Sequence, residues 1–306
     1  MRTIEETSRS YKVCLKSDGV RYILFLSTRQ GDMPVALMID RSWNMYEVEV
    51  LAPEDYFLKG TILDGELVWQ YPEETTMMYL VFDVMCCKGV RLVDTPFSER
   101  HTEVTRCTNL SNDISNLPDR EVEDKISETD SVVMNHYRPR IRMRTKTFVD
   151  ATYCKTLWND RREVDHRVDG LIFNRVDSMY NVGTARDGSV IKWKPYSTVD
   201  LTCKDGRLFT SGSQLPEVVL GRKVQVDESR VVAEREGKDV LEYLVKTTDT
   251  TVHLTAIRRR TDKFTANSDF TVMATIRDSV ESIGIDDLAS VMCQSCMVPV
   301  SDEVVV

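Results

Sequence analysis

Short runs of alternating apolar and polar residues dominate the first third of the chain. Val13 and Leu15 alternate with polar neighbours, Asp18-Gly19 supplies a turn, and Tyr22-Ile-Leu-Phe-Leu26 follows. Residues 35–39, 46–50, 61–69 and 78–84 carry further strand patterns, which predict an antiparallel, meander-rich sheet. Residues 109–130 are polar and weakly periodic and read as a surface connection that can hold one short helix. A short helical segment is expected over 148–158. Strands return at 168–173 and 190–194, and Pro195 marks a hinge. From 198 to 260, short β-runs are broken by Lys204-Asp-Gly206, Ser211-Gly-Ser213 and Glu236-Gly-Lys238, a pattern that suits a small Greek-key barrel. After Asn267 the spacing of Val272, Ile276, Val280 and Ile283 is helical, and Asp286-Asp287 begins a second helix. No internal repeat is seen, and the last ten residues are expected to fray. The fold class is therefore α+β, with domains at 1–196 and 197–268 and a helical segment with a tail at 269–306.

Composition constrains this picture only where it excludes something. The chain of 306 residues is long enough for two cores, and its 42% hydrophobic and 29% charged residues are those of a soluble protein. No apolar run approaches the ~20 residues that span a bilayer, and the N-terminus lacks the apolar stretch of a secretory signal. The eight cysteines are scattered, so reduced thiols and an intracellular location, nuclear or cytoplasmic, are expected. Cys293 and Cys296 form one isolated CxxC; zinc needs a second pair, so they read as tail cysteines. A net charge of −9 argues against binding along a nucleic-acid tract and leaves capture of one end. Basic clusters stand at Arg138, Arg140, Arg142, Arg144 and Lys146, and at Arg258 to Arg260; the first reads equally as a solvated strand face.

Several short constellations carry chemistry. Lys16 precedes a turn and Arg21. A lysine nucleophile must be neutral, and since the ordinary lysine pKa is about 10.4, burial or cationic neighbours must lower it. Alone, it reads as a surface lysine at a hairpin. Asp64 and Glu66, two apart in a strand, face one side and can accept from ribose hydroxyls or hold a divalent metal. Asp169 is a further acid at a strand start. Lys192 and Lys194 flank Trp193, and two like charges on one side suit a triphosphate between them. No Gly-x4-Gly-Lys-[Ser/Thr] loop exists, so side chains must meet any phosphates. Arg258, Arg260, Asp262 and Lys263 form a second polar set. Phe82 can stack on a purine with Ile172 opposite, although core packing is the commoner fate. None of the four histidines forms a metal-like pair.

Taken in order, these motifs resemble those of the covalent nucleotidyltransferases: the mRNA capping guanylyltransferases and the ATP-dependent DNA and RNA ligases. Lys16-Ser-Asp-Gly-Val-Arg21 is similar to motif I, Leu63-Asp-Gly-Glu66 to motif III and Tyr79-Leu-Val-Phe-Asp83 to motif IIIa. Asp169-Gly-Leu-Ile172 resembles motif IV, and Ile191-Lys-Trp-Lys-Pro195 motif V, in matching order over roughly 11–270. Three features resemble the capping branch: Lys-Trp-Lys-Pro followed by Ser197-Thr-Val-Asp200, Arg258-Arg-Arg-Thr-Asp-Lys263 with Asn267, and Asp169 rather than Glu in motif IV.

The resemblance implies an antiparallel nucleotidyltransferase domain, ATP-grasp-like or DNA-ligase-like, joined to an OB-fold domain. It implies that Lys16 forms a phosphoamide with GMP from GTP and that the 5′-diphosphate end of RNA then accepts the GMP. By motif position, Asp18 belongs to the nucleotide site, Arg21 and Glu66 bind the ribose, and Phe82 and Ile172 sandwich guanine. Asp169, with Glu66, holds Mg2+ or Mn2+, Lys192 and Lys194 contact the α-phosphate and base region, and Arg258, Arg260, Asp262 and Lys263 orient the outer phosphates. Fifteen residues precede Lys16, where family members usually carry a longer segment; another chain supplies it, or this is a minimal version. Ala266 stands where many members have proline, and Thr251-Val-His-Leu254 where a tryptophan is often found. RNA triphosphatase, cap methyltransferase or polymerase subunits are expected on other chains. The rivals are an ATP-dependent polynucleotide ligase and a catalytically silent RNA-end-binding or scaffold protein.

Overall fold

A computed structural model describes residues 11–71, 77–115, 139–183, 188–204, 206–227, 239–260 and 263–294. Asp262 and Cys296 lie outside these residues, and of Cys293 only the backbone is described. The chain divides into two units, the first comprising Met1–Trp193 with Ile285–Val306 and the second Lys194–Gly284.

In the first unit the strands are β1 (Tyr11–Ser17), β2 (Val20–Arg29), β3 (Met33–Ile39), β4 (Met45–Val48), β5 (Thr61–Trp69), β6 (Met77–Cys87), β7 (Val90–Arg91), β8 (Arg142–Thr145), β9 (Val149–Asp150), β10 (Val168–Arg175) and β11 (Val190–Trp193). Helices α1 (Glu54–Leu58), α2 (Phe97–Ser115) and α3 (Cys154–Asn159) are interspersed. Two sheets result. One runs β4-β3-β2-β5-β6-β7, with β8 joining β6; the other runs β11-β10-β1-β9. The expected strands are all present, but β8 pairs with β6 in parallel, so the sheet is not wholly antiparallel.

Alternation sets the faces. Leu24, Leu26, Leu63, Val81 and Val84 point into one buried core with Val104 and Cys107 of α2. Burying each such side chain contributes about 1.5–3 kcal/mol. The opposite face of β2 and β5 carries Arg21, Asp64 and Glu66 toward the second sheet. Two glycines permit the close approaches this needs. A Cβ on Gly19 would meet the Leu67 carbonyl at 2.4 Å, and one on Gly65 would meet the Tyr79 ring at 2.5 Å.

Helix α2 corrects the expectation of a surface connection with one short helix from 109; it begins at Phe97 and runs 19 residues to Ser115. Its buried stripe, Phe97, Arg100, Val104, Cys107 and Thr108, includes an arginine and a threonine, which hide the helical period from a hydrophobicity count. Residues 116–130 of the expected connection lie outside the described residues. The segment 148–158 is likewise only partly helical: β9 and a 3-10 turn at Ala151–Tyr153 precede α3.

The second unit contains β12 (Ser197–Lys204), β13 (Arg207–Phe209), β14 (Val218–Val219), β15 (Arg222–Asp227), β16 (Val240–Thr247), β17 (Thr251–Arg259) and α4 (Asp269–Val280). Its strand order is β13-β12-β16-β17-β15-β14, with β15 and β17 parallel. Val272 and Ile276 of α4 pack on Val199, Leu201 and Leu254, whereas Val280 and Ile283 are exposed. The stretch 269–306 is therefore not one segment. Helix α5 (Ile285–Gln294) belongs to the first unit, where Leu288, Ala289 and Met292 pack against Trp158, which meets Trp193 edge-on at 5.1 Å.

One buried ion pair ties α2 to the sheet. Arg100 donates to both carboxylate oxygens of Asp83, at 2.7 and 3.1 Å, and to the Ser178 carbonyl at 2.9 Å. The two side chains are 2% and 9% exposed. Burial pushes the Asp83 carboxyl up even beside this guanidinium. Removing one partner leaves an uncompensated buried charge, so Arg100→Ala is expected to destabilise the first unit by about 3–5 kcal/mol, read as a lower urea midpoint with an unchanged slope.

Candidate functional site

A cavity of about 590 Å³ opens between the two sheets of the first unit. From one sheet it is lined by Cys14, Lys16, Ile172, Asn174, Val190 and Lys192; from the other by Arg21, Asp64, Glu66, Phe82 and Asp83. Arg41, Arg100, Lys146, Phe148, Ser178, Met179, Tyr180, Asn181 and Gly183 complete the lining.

Lys16 lies opposite Gly170, where the β1–β10 register shifts. Its Nζ donates to Asp169 Oδ1 at 2.6 Å, and both side chains keep some solvent contact, at 20% and 15%. Behind it the strand end is anchored. The Asp18 amide donates to the Arg167 carbonyl at 2.8 Å, and Ser17 Oγ lies 3.1 Å from His166 Nε2. His166 Nδ1 in turn lies 3.2 Å from Asp165, which accepts from Arg144 at 2.7 Å and Gln70 at 2.8 Å. This is a Ser-His-Asp chain, but Ser17 is fully buried, so the chain positions the end of β1 and presents no nucleophile to a bound molecule.

Arg21 and Asp64 form a two-bond pair at 2.9 and 2.6 Å. The Tyr180 hydroxyl donates to Asp64 at 2.6 Å and accepts from Arg21 at 3.2 Å. Buried Lys146 faces Glu66 at 3.4 Å. Both cations also approach the Phe82 ring, Arg21 to 6.0 Å and Lys146 to 5.9 Å from its centre. Burial pushes the Cys14 thiol up to about 11, which keeps it protonated and inert. Lys192 is pushed down by burial first, then by repulsion from Lys16, Arg41 and Arg21. The cavity thus carries an excess of positive charge around Lys192.

The structure brings Lys16, Arg21, Glu66, Phe82, Ile172 and Lys192 into one cavity, and puts Asp169 on Lys16. It does not bring Asp18, whose exposed side chain lies off the wall. Strand β11 ends at Trp193, so the alternation that aligned Lys192 with Lys194 does not reach Lys194, which opens the second unit. Within that unit Arg258 pairs with Glu242 at 2.7 Å, while Arg260, at 3.0 Å, and Lys263 both donate to Asp200. Among the described residues, no three metal-ligating side chains converge. Sequence reasoning missed Tyr180, Arg100 and Arg41, and read Lys146 as equally a solvated residue. Tyr180 lies in a loop without periodicity, and Arg100 occupies a helix position that an apolar residue usually fills.

An aromatic ring, an aliphatic residue and several cations line one cavity, a chemistry that suits a planar group carrying negative charge. The family comparison is consistent with that class. Residues 4–196 match the model "mRNA capping enzyme, catalytic domain", and the chain belongs to that family. It is 30% identical over 224 residues to the mRNA-capping enzyme subunit alpha of Schizosaccharomyces pombe, covering 64% of this chain and 48% of that protein. It is 27% identical to an mRNA-capping enzyme of Caenorhabditis elegans, covering 65% of this chain and 32% of the relative. The chain therefore spans about half or less of these relatives' lengths. A solved mycobacterial DNA ligase D complexed with ATP and MES covers 84% of this chain and 91% of its own, at TM-score 0.49 and 13% identity; that likeness carries no argument. Among the described residues no helix is long and apolar enough to cross a membrane.

The buried histidine behind Lys16 gives a pH test. Burial holds His166 below the ordinary histidine pKa despite Asp165. The unfolded chain therefore takes up this proton first, at about pH 6.5, and stability falls as pH drops below that value. Asp165 is held low by Arg144, so its own contribution is lost only below the ordinary carboxylate range. His101 is depressed in the same way and adds to the same slope. Urea midpoints at pH 7.5 and 5.5 should therefore fall further for the native chain than for His166→Gln; equal falls contradict the assignment.

Proposed function

We propose that the chain is a GTP:RNA guanylyltransferase that forms mRNA caps through a covalent lysyl-GMP. The observation that carries this reading is Lys16 held on Asp169 at 2.6 Å in a cavity walled by Phe82, Ile172, Arg21 and Lys192, in a chain belonging to the capping-enzyme catalytic family.

In the first step Lys16 Nζ forms a bond to the α-phosphorus of GTP. The bond from that phosphorus to the bridging oxygen of the β-phosphate breaks, and pyrophosphate leaves. Lys16 sheds one proton to free its lone pair, with the Asp169 hydrogen bond as the first route out, and a second as the P–N bond becomes a phosphoamide. Lys192, Arg21 and Arg41 meet the negative charge that develops on the phosphate oxygens. Phe82 and Ile172 hold the guanine, and Arg21 with Glu66 orients the ribose, which fixes the line of attack. In the second step a terminal phosphate oxygen of 5′-diphosphate RNA attacks the same phosphorus. The P–N bond breaks as its nitrogen is protonated, and a second proton restores the Lys16–Asp169 ion pair.

A divalent ion, Mg2+ or Mn2+, fits the donor set through Asp169 with the substrate's own phosphate oxygens, since magnesium commonly takes one or two carboxylates and completes its shell from phosphates and water. Once bound it would supply charge neutralisation at the α-phosphate. Glu66 already pairs with Lys146, which favours ribose contact over a metal role for it.

For the second unit we read an OB-fold that carries Arg258, Arg260, Asp262 and Lys263 toward the outer phosphates. The parallel β15–β17 pair flanking the β16–β17 hairpin supports that reading. An acceptor RNA and subunits that carry other capping activities are the partners we propose.

Incubation with α-labelled GTP or ATP plus Mg2+ or Mn2+, followed by denaturation, tests this. Label from GTP alone is expected, and Lys16→Ala should lower it at least a thousandfold. Label from ATP alone would make the chain a ligase. No label with either nucleotide, in folded protein, would leave an RNA-end-binding role.

A further inference from the structure

A second cavity of about 720 Å³ continues the first along the same sheet. The two share Arg21, Arg41 and Gly183. Register explains the continuity. Ile23 lies opposite both Ile39 and Asp64, and Phe25 lies opposite Ile62. The sheet face that presents Arg21, Asp64 and Glu66 to the nucleotide cavity therefore turns apolar toward its far end, where Ile23, Phe25, Ile39, Ile62 and Met85 form the floor.

Trp43 forms the rim. It is 79% exposed and has a φ of +65°. A bulky residue in the left-handed region is strained, and strain of this kind persists only where surrounding contacts impose it. Those contacts are present. The Asp40 carboxylate accepts from the Ser42 amide at 2.8 Å, the Asn44 amide at 2.9 Å and the Asn44 side chain at 2.8 Å, and the Trp43 amide donates to the Asp40 carbonyl at 3.1 Å. These bonds also hold the Asp40 carboxyl below the usual range, so its charge is occupied within the loop. A tryptophan that no core needs is thus held over an apolar trough, with arginines at the trough's inner end.

We infer that this trough is the acceptor subsite, taking the 5′-terminal nucleoside of the RNA with its base against Trp43 and the apolar floor. This rests on the proposed nucleotidyl transfer. Three observations select this occupant. Aromatic stacking surface beside cations is the chemistry of single-stranded nucleic acid. The trough opens directly into the cavity that holds Lys16, and the attacking diphosphate must reach the phosphorus bound there. A net charge of −9 disfavours a long tract but not one end, with its phosphates directed to Arg41 and Arg21.

Trp43 has little burial to lose, so its variants should fold. With lysyl-[32P]GMP formed first, transfer to a short 5′-diphosphate RNA is compared with discharge by inorganic pyrophosphate, which needs no trough. Trp43→Ala should lower the RNA-to-pyrophosphate ratio about tenfold, and Trp43→Phe should restore most of it; an unchanged ratio overturns the inference. A second readout does not require catalysis. The 5′-diphosphate RNA should quench tryptophan fluorescence in the native chain and quench Trp43→Phe markedly less. Equal quenching in both, or none in either, overturns the subsite, including the case in which the trough takes a peptide instead. Failure of GTP labelling in the native chain overturns the nucleotidyl-transfer reading, and the fluorescence result then still decides whether the trough takes RNA.

Discussion

The antiparallel pairing of β1 with β10 is the constraint on which the site depends. Lys16 and Asp169 are 153 residues apart in sequence, and nothing local brings them together. The ladder from Tyr11–Arg175 to Lys16–Gly170 does so, and the irregularity at Lys16 and Ser17 sets where it ends. That end is fixed by contacts that never enter the cavity: the Asp18 amide on Arg167, and Ser17 on His166. A one-residue slip would turn Lys16 to the opposite face of its sheet, so the contacts behind the strand matter to the site as much as those within it.

Several of the cavity's charges are held in pairs, and the pairs differ in exposure. Arg100–Asp83 is nearly sealed, at 2% and 9% exposed, whereas Lys16–Asp169 is open to solvent at 20% and 15%. A sealed pair offers a ligand nothing and fixes α2 and the Ser178 loop. A solvent-reached pair can exchange partners, because an incoming anion replaces much of the stabilisation that the lysine loses with its carboxylate. Arg21–Asp64 stands between, with the arginine at 43% and the aspartate at 2%. Asp64 is therefore a buried anchor that holds one end of a cation whose other side faces the cavity and the trough.

The strands were legible because their pattern has period two and their turns carry Asp-Gly. The cavity's main residues were legible because each falls in a short motif on a strand, near its end for Lys16 and Lys192 and within it for Glu66, Phe82 and Ile172. Lys16, Glu66, Phe82, Ile172 and Lys192 all reach the cavity. What escaped has physical causes. Helix α2 turns Arg100 into the core, so its apolar stripe is interrupted. Lys146 continues an alternating basic series with Arg142 and Arg144, yet its backbone leaves β8 and its side chain is 6% exposed on Glu66. Tyr180 acts through a single hydroxyl from an irregular loop. The C-terminal helices look alike in sequence, yet α4 and α5 pack in different units, because chain order does not say which apolar surface a helix will cover.

The boundary between Trp193 and Lys194 falls inside one short motif, and the two sides of that motif obey different constraints. Trp193 is held by Trp158 at 5.1 Å and closes the first unit's core. Four residues on from Trp193, β12 begins, and Asp200 within it gathers Arg260 and Lys263. Asp200 is itself fixed through its backbone, which accepts from the Asn267 amide at 2.8 Å and donates to the Asn267 side chain at 2.8 Å. Arg260 also lies 4.0 Å from Glu242, so carboxylates of two strands hold these cations in place. The second unit therefore keeps an organised cationic pair whose geometry is set by its own strands. Such preorganisation spares the cost of gathering two like charges when an anion arrives.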